Sequence, residues 1–561
     1  MNKHARLIPA LLPALAGLSL TACSPAENTT SVKLAASISN NAAKTTEETT
    51  ETVNKEIPAA AYLAANEIYN YESVIPPQCY TKTESVNNPC YTCHQTYPNQ
   101  TSRTNMMFDG HLQGLYAFSD EGVTNHWKNL FKNRSESIKN TSDAFIKDYI
   151  KQDNYSRWAA KHPEYQVAVI DKLATPEQAF ETNGIAKDGS HWVAFNYKPF
   201  PGTFWPTNGS TGDVMIRLDN SFREINGDYV EDAYFANLTL VEMAIKDVQE
   251  LSVPGLSEVA LNTDLDGDGK LSNKVNRMVR RSHYVGDASD VALYHMLYPQ
   301  GTEILHTVRY VGVNDDGSIY NAERMKEVRY MKKHFFKDQN NLKAFYYQEQ
   351  KEKHFENLPK TISHGKEGIA NNFGWTINAW IEDTQGELRQ QEHQELAFCN
   401  GCHKSIGSTI DQTFSFPRKV AGADGWGYIN LKAITDVPNI NETAGEYATY
   451  MARTNGGDEF RQNTEMKTRW FDESGKVNLD AVNKVASIYE LITPSSRRAL
   501  DLNKAYHAIV KEQSYIFGRD AVLSEATNVH KEVDETQKPL LPEHRYQWDL
   551  RLNWDKTEQP R

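Results

Sequence analysis

The sequence predicts an α+β fold, with loop-rich regions around a mixed central segment containing β-hairpins and a helical C-terminal tail. Two apolar runs with period-two alternation flank a polar turn between 304 and 335, the pattern of a β-hairpin. Apolar residues recur at helical spacing over 228–249 and again over 495–516. The stretch 65–130, by contrast, sustains neither period. Of the 561 residues, 39% are hydrophobic and 11% aromatic, which supports a packed core and excludes a disordered or collagen-like chain. The length suggests roughly two to four domains. A formal charge of −13 argues against a nucleic-acid partner, which would require a basic face. Only 6 Cys occur, so a disulfide-dense scaffold is excluded.

In chain order, helical patterns run over 137–150, and Thr175-Pro176 starts a short helix with proline at its first position. Residues 188–220 alternate like strands around a Pro/Gly/Trp-rich turn at 201–209, and 228–249 reads as an amphipathic helix. A hairpin over 304–335 turns at Asn314-Asp315-Asp316-Gly317, and a helix follows over 338–357. A second hairpin over 374–389 turns at Gln385-Gly386. The tail is helical over 479–492 and 495–516, with Thr493 as cap and Pro494 at the first position. These elements divide the chain at 1–22, 23–60, 61–185, 186–365, 366–435 and 436–561, with no internal repeat.

Residues 1–22 read as an export signal, with Lys3 and Arg6 ahead of an apolar stretch too short to span a bilayer. Its end, Leu20-Thr21-Ala22-Cys23, resembles a bacterial lipobox, which implies cleavage before Cys23 and lipidation of its thiol. The alternative is an ordinary signal peptide followed by a chance cysteine. Ser24 after the cysteine, by analogy with lipoprotein sorting, implies the outer membrane, on its periplasmic or cell-surface side. Residues 23–60, rich in Ser, Thr, Ala, Asn and Glu, read as a flexible tether.

Four of the six cysteines stand in two copies of one pattern, Cys90-Tyr91-Thr92-Cys93-His94 and Cys399-Asn400-Gly401-Cys402-His403. CxxCH is the attachment signature of c-type haem. Two thiols one helical turn apart form thioethers with the two vinyl groups on one haem edge, and the adjacent histidine projects beneath the iron as its proximal ligand. Chance would place one CxxCH in roughly two such chains per thousand, so two copies by accident are negligible. A redox disulfide would require a strand-then-helix context that neither copy has. A four-cysteine zinc site would leave the two histidines unexplained. The expected cofactors are therefore two covalently bound haem c groups, in the regions 61–185 and 366–435.

The chain thus resembles the c-type cytochromes, and among them the exported diheme lipoproteins of Gram-negative bacteria. The resemblance rests on the lipobox, the two motifs, and the phrases Phe373-Gly374-Trp375, Phe416-Pro417-Arg418-Lys419 and Gly425-Trp426-Gly427. It implies haem binding and electron transfer and supplies no substrate.

The sixth ligand decides whether a haem iron carries electrons or takes up a small molecule. For the first haem the candidates are His111, Met106 and Met107, with His126 slightly further along. For the second they are His393, His283, His295 and His306, the last on an expected strand over 303–313 where it shares a face with Val308 and Tyr310. His111 and His306 are the leading distal candidates, each against the alternative of a core histidine. Cys79 is left over, and three readings stand for it: a buried thiol without a role, an axial or reactive thiol beside the first haem, or an intermolecular link.

The stretch from Asp264 matches the first positions of a calcium loop: Asp264, Asp266 and Asp268 alternate, Gly269 turns, and Lys270 offers its carbonyl. Position 12 is Val275 instead of glutamate, so Asp287 or Asp290 is expected to complete the shell. The alternative is a solvated acidic turn.

The expected function is that of a membrane-anchored diheme c-type cytochrome passing single electrons between periplasmic or outer-membrane redox partners. The acidic surface suits docking to another cytochrome or a reductase with a basic face. A diheme peroxidase-like or other haem oxidoreductase with one five-coordinate haem is the alternative, since the chain is long for a bare carrier. In that case Trp205 to Asn208 and Trp375 to Trp380 are candidates for lining a pocket. A partner- or polymer-binding protein is the third class, with no motif marking such a site.

Overall fold

The computed structural model describes residues 75–557, apart from 96, 98–102, 104–115, 117–119, 203, 355–360, 457–459, 461–462 and 546. Cys23, the export signal and the tether lie outside the described residues, as do His111, Met106 and Met107. The fold is α+β, as the alternation and helical periods predict. Its strands, in chain order, are β1 (Val193–Ala194), β2 (Val214–Arg217), β3 (Glu224–Ile225), β4 (Asp228–Tyr229), β5 (Glu250–Leu256) and β6 (Val275–Val279). Then come β7 (Glu303–Val313), β8 (Ile319–Lys333), β9 (Ile362–Ser363), β10 (Ile369–Ala370), β11 (Trp375–Glu382) and β12 (Leu388–Gln390). Eight of them build one antiparallel sheet in the order β1-β2-β7-β8-β11-β10-β9, with β12 added beside β11. β3–β4 and β5–β6 are separate two-stranded ribbons.

The long β7–β8 hairpin forms the centre of this sheet. Its turn closes with the Asn314 amide on the Ser318 carbonyl at 2.9 Å, and Gly317 supplies the left-handed backbone at φ +85°. Strand alternation then gives the sheet two different faces. Leu305, Met215, Met325, Val328 and Trp380 pack on one side with Trp158 and Trp192. Ile304, His306 and Val308 line a cavity on the other. The register pairs Val308 with Glu327 and Arg309 with Met325, so Lys326 is an extra residue on β8. Such a bulge bends the strand and re-aims its side chain.

Two long helices brace this frame. Glu231–Lys246 was expected to be amphipathic, yet every residue from Ala233 to Lys246 is buried. Its charged positions are satisfied internally: Glu242 pairs with Lys246 at 2.5 Å and with Lys419 at 2.8 Å. Ser496–Glu512 docks on β7, where Asn503 donates its Nδ2 to the Val311 carbonyl at 2.8 Å. The Ser495 hydroxyl caps this helix by accepting the Arg498 amide at 3.3 Å, so the helix starts later than a Thr493 cap would place it.

Other boundaries also differ from the periodicity. The run 137–150 is two helices, Ser135–Asn140 and Asp143–Ile150, because the Ser142 hydroxyl accepts the Phe145 amide at 3.1 Å and starts a new helix. The run 479–492 is likewise two short helices, Leu479–Val482 and Ile488–Ile492. Residues Ile57–Arg561 form one compact unit.

Candidate functional site

The two CxxCH segments adopt the same local geometry by different routes. Cys90–Cys93 is a single helical turn that follows Pro89, with the Cys90 amide held by the Asn88 side chain at 3.2 Å. The second motif ends the helix His393–Asn400, which opens with a capping box between Glu392 and Glu395. In each case the histidine amide donates to the carbonyl of the first cysteine, His94 to Cys90 at 2.9 Å and His403 to Cys399 at 2.8 Å. Both pentapeptides therefore wind through one helical turn, which sets the two sulfurs of each on neighbouring positions of one helix surface.

Some 300 residues separate the motifs in sequence, but they meet in space. The Ser408 amide donates to the Cys93 carbonyl at 3.1 Å. At Gly407 a Cβ would lie 2.5 Å from the Gln95 carbonyl oxygen, so only glycine allows the two loops this close. One cavity of about 320 Å³ runs between them, and all six residues Cys90, Cys93, His94, Cys399, Cys402 and His403 line it. Burial raises the Cys399 and Cys402 thiols above the ordinary cysteine range, and Cys93 and Cys79 add to the effect at Cys402.

His403 is oriented by the chain that follows it. Its Nδ1 bonds the Gln412 carbonyl at 2.8 Å, which makes Nδ1 the donor and leaves Nε2 deprotonated. Burial lowers its pKa to about 4, with the Gln412 carbonyl acting upward and Arg329 downward, so the ring is neutral near pH 7. The edge of Phe414 stands against it with centroids 5.4 Å apart. Asp411 fixes the loop: it pairs with buried Lys333 of β8 and accepts the Tyr298 amide at 2.9 Å.

His306 lines the same cavity from β7. Its Nε2 is enclosed without a hydrogen-bond partner, and the Phe204 ring meets it edge-on at 4.3 Å. Burial drives its pKa to about 3, with Arg329 and His403 pushing the same way. Among the described residues, His94, His306 and His403 are the histidines that line the cavity. His283 bonds Ser282 at 3.0 Å and His295 pairs with Asp247 at 3.1 Å, and neither reaches it. Cys79 does line it, beside the first motif.

The lining fits the group that two CxxCH motifs imply. Two pairs of thiols, neutral imidazoles and an apolar wall including Phe200, Phe204 and Phe416 face one space. The buried donors Tyr197 Oη, Trp205 Nε1 and Tyr506 Oη stand in that wall with no partner among the described residues, as groups facing a polar-edged ligand would. Trp205 thus lines the cavity, whereas Trp375 and Trp380 are packed elsewhere.

The wall is held by a buried ionic hub. Glu446 accepts from Arg418 Nη1 at 2.7 Å, Asn439 at 3.0 Å and Trp548 Nε1 at 3.1 Å, and pairs with Lys198 at 2.9 Å. Arg418 spends its remaining donors on the Lys198, Pro199 and Leu550 carbonyls. This ties four chain segments behind the cavity.

The acidic loop lies apart, between β5 and β6. Carboxylate oxygens of Asp264 and Asp266 lie within 4.8 Å of one another and of Glu258, which precedes the loop. The grouping therefore differs from the expected set. Asp268 is outside it because its carboxylate caps the Lys270 amide at 2.7 Å, and Asp287 instead caps the β3–β4 turn through the Asn226 and Gly227 amides. Glu258 holds the loop through the Leu265 amide at 2.5 Å and the Ser272 amide at 2.9 Å. Glu258 precedes the loop in the chain, where the calcium-loop pattern has no ligand position.

Comparison with known proteins gives a family and no chemistry. A curated relative from Aquifex aeolicus (strain VF5), named an uncharacterized lipoprotein, is 31% identical over 557 residues, covering 87% of this chain and 93% of the relative. No solved structure matches. No helix among the described residues is long and apolar enough to cross a membrane. Residues 64–490 match the family described as "-like lipoprotein", and the chain belongs to that family of exported, lipid-anchored proteins.

Proposed function

We propose that this lipoprotein carries two covalently attached haems and passes single electrons between partners at the cell envelope. The observation that carries this reading is the meeting of two CxxCH turns of equal geometry on one cavity, joined by the Ser408–Cys93 bond. A c-type haem supplies a one-electron iron couple. The roles of the chain's residues follow from their placement. Cys90, Cys93, Cys399 and Cys402 hold by thioether bonds, and His94 and His403 serve as proximal ligands. The Gln412 carbonyl keeps the His403 Nδ1 protonated and leaves Nε2 free to hold an iron, as outer hydrogen bonds do for metal-bound histidines. His306, buried in the same cavity with no partner for its Nε2 among the described residues, would serve as the distal ligand of the second haem. The Ser408–Cys93 bond keeps the two attachment turns together, so haems held there would exchange electrons over a short path, and an acidic surface would steer a basic cytochrome or reductase to the protein.

Cys23 is the lipidated residue, and the outer membrane is the site of anchoring. The loop with Asp264, Asp266 and Glu258 takes a structural Ca²⁺, with Asp268 and the Lys270 carbonyl available from the same loop. A second reading, a peroxidase-like or other haem oxidoreductase, is favoured by the unpartnered Tyr506 hydroxyl in the cavity wall.

Electron paramagnetic resonance of the oxidised protein tests the carrier reading. Two low-spin signals are expected, one of which turns high-spin in His306→Ala. A high-spin signal in the wild type that shifts on adding cyanide would replace the carrier reading with the oxidoreductase.

A further inference from the structure

The cationic end of the cavity is lined by residues other than the CxxCH cysteines and histidines and His306. It is built by the β8 bulge, which brings Lys326 beside Glu327 and Arg329, and by Tyr506 from the helix Ser496–Glu512. The hydrogen bonds there are unevenly used. Arg418 is saturated, and Arg519 spends its guanidinium on Glu327, Gln391 and the Glu395 carbonyl. Arg329 binds Glu327 only through Nε, at 2.9 Å, and neither of its Nη atoms has a hydrogen-bond partner among the described residues. Lys326 reaches the Gly209 carbonyl and the Ser210 hydroxyl, which leaves one of its three protons unspent. Its ammonium lies 4.0 Å over the Tyr506 ring, and the Tyr506 hydroxyl is buried with no partner among the described residues, in a residue only 1% exposed.

The charges point the same way. Glu327 is one carboxylate between two arginines, and Asp520 is the other acid on this wall. Lys326, Arg329 and Arg519 stand here with Glu327 and Asp520, while Glu382, paired with Arg324, acts on Lys326 from behind the wall. Burial pushes Lys326 down to about 7, although Glu382, Asp520 and Glu327 act upward, so an added anion would hold its proton in place. A half-buried arginine with both Nη atoms unspent presents a planar fork that matches a carboxylate or another oxyanion.

We propose that Arg329, Lys326 and Tyr506 form an anion subsite that seats a carboxylate or small oxyanion at this end of the cavity. The anion has two sources, a propionate of a bound haem or a free ion entering from solvent. In its propionate form the proposal rests on the haem reading above; in its free-ion form it does not.

The test is calorimetric titration of the exported full-length protein with acetate and with phosphate, beside redox titration. If the ion is free, the wild type saturates with at least one of them, and Arg329→Gln and Tyr506→Phe each weaken it, the former by tenfold or more. If a propionate fills the seat, the wild type takes neither anion, and Arg329→Gln lowers the midpoint potential of one haem. The surface change Arg157→Gln, which removes the same charge from an exposed arginine paired with Glu387, leaves the potential unmoved. Tyr506→Phe removes one hydroxyl and keeps the ring packing, so it reports even if the arginine variant folds poorly. An optical spectrum without haem overturns the haem reading and leaves the anion subsite to the calorimeter. No anion uptake together with an unmoved potential, or no anion uptake in a haem-free protein, overturns the subsite.

Discussion

The amide of Ser408 bonds the carbonyl of Cys93 at 3.1 Å, and this contact brings the turn that follows the second CxxCH motif onto the first motif itself. A chain with about 300 intervening residues is thereby folded so that two attachment turns open onto one cavity. The spacing of the two attachment turns is set by this backbone junction.

Gly407 is the weak point of that junction. An added methyl would sit 2.5 Å from the Gln95 carbonyl oxygen and 2.7 Å from its amide nitrogen, both backbone atoms that cannot rotate away. Gly407→Ala is expected to cost about 1–3 kcal/mol by overpacking, read as a lower midpoint in urea. An unchanged midpoint would mean that the loops separate freely.

Glu446 makes stability fall in acid. Burial alone would raise its pKa, but Arg418 and Lys198 outweigh this and hold it at about 2, below the ordinary 4.5. Its contribution is complete above pH 4.5 and is lost as pH falls from there through about 2, a span worth about 3 kcal/mol. Glu446→Gln should unfold at lower denaturant at pH 7 and flatten this part of the acid profile. A variant whose acid profile matches the wild type would remove Glu446 as its source.

Lys333 acts on His403 at a distance. It pairs with Asp411 in the loop that supplies the Gln412 carbonyl, where Asp411 and Gln412 both hold left-handed backbone at φ 47° and 61°. Lys333→Met leaves Asp411 a buried, unpaired carboxylate, and the strained loop then relaxes. The expected result is a shifted visible or magnetic spectrum of one haem, recovered in part by Lys333→Arg. General destabilisation with an unaltered spectrum would limit Lys333 to a structural role.

For the acidic loop the expected result is a rise in melting temperature on adding Ca²⁺ after chelation, abolished by Asp264→Asn. Equal melting with Ca²⁺ and with chelator would leave the loop a self-capped acidic turn, held by Glu258 alone.

How far the sequence carries is clear from particular residues. The strand of His306, the Asn314–Gly317 turn and the Gln385-Gly386 turn are legible because alternation and turn chemistry are local. Ser142 is hidden because helical periodicity runs across it, whereas at Ser495 the break is legible and the Thr493-Pro494 pair draws the cap two residues too early. Glu258 was missed because the loop pattern looks forward from Asp264, while the chain supplies this acid from behind. Arg329, Lys326 and Tyr506 could not be read at all, since a β-bulge and a helix more than 170 residues further on bring them together. Nor does any periodicity report that residues 94 and 403 line one cavity.

The most direct test is intact-mass and pyridine haemochrome analysis of the protein exported by a host that attaches c-type haem. Two covalent haems per chain are expected, falling to one in Cys90→Ala/Cys93→Ala and to one in Cys399→Ala/Cys402→Ala. A folded, exported wild-type chain with the mass of the bare polypeptide would contradict the account.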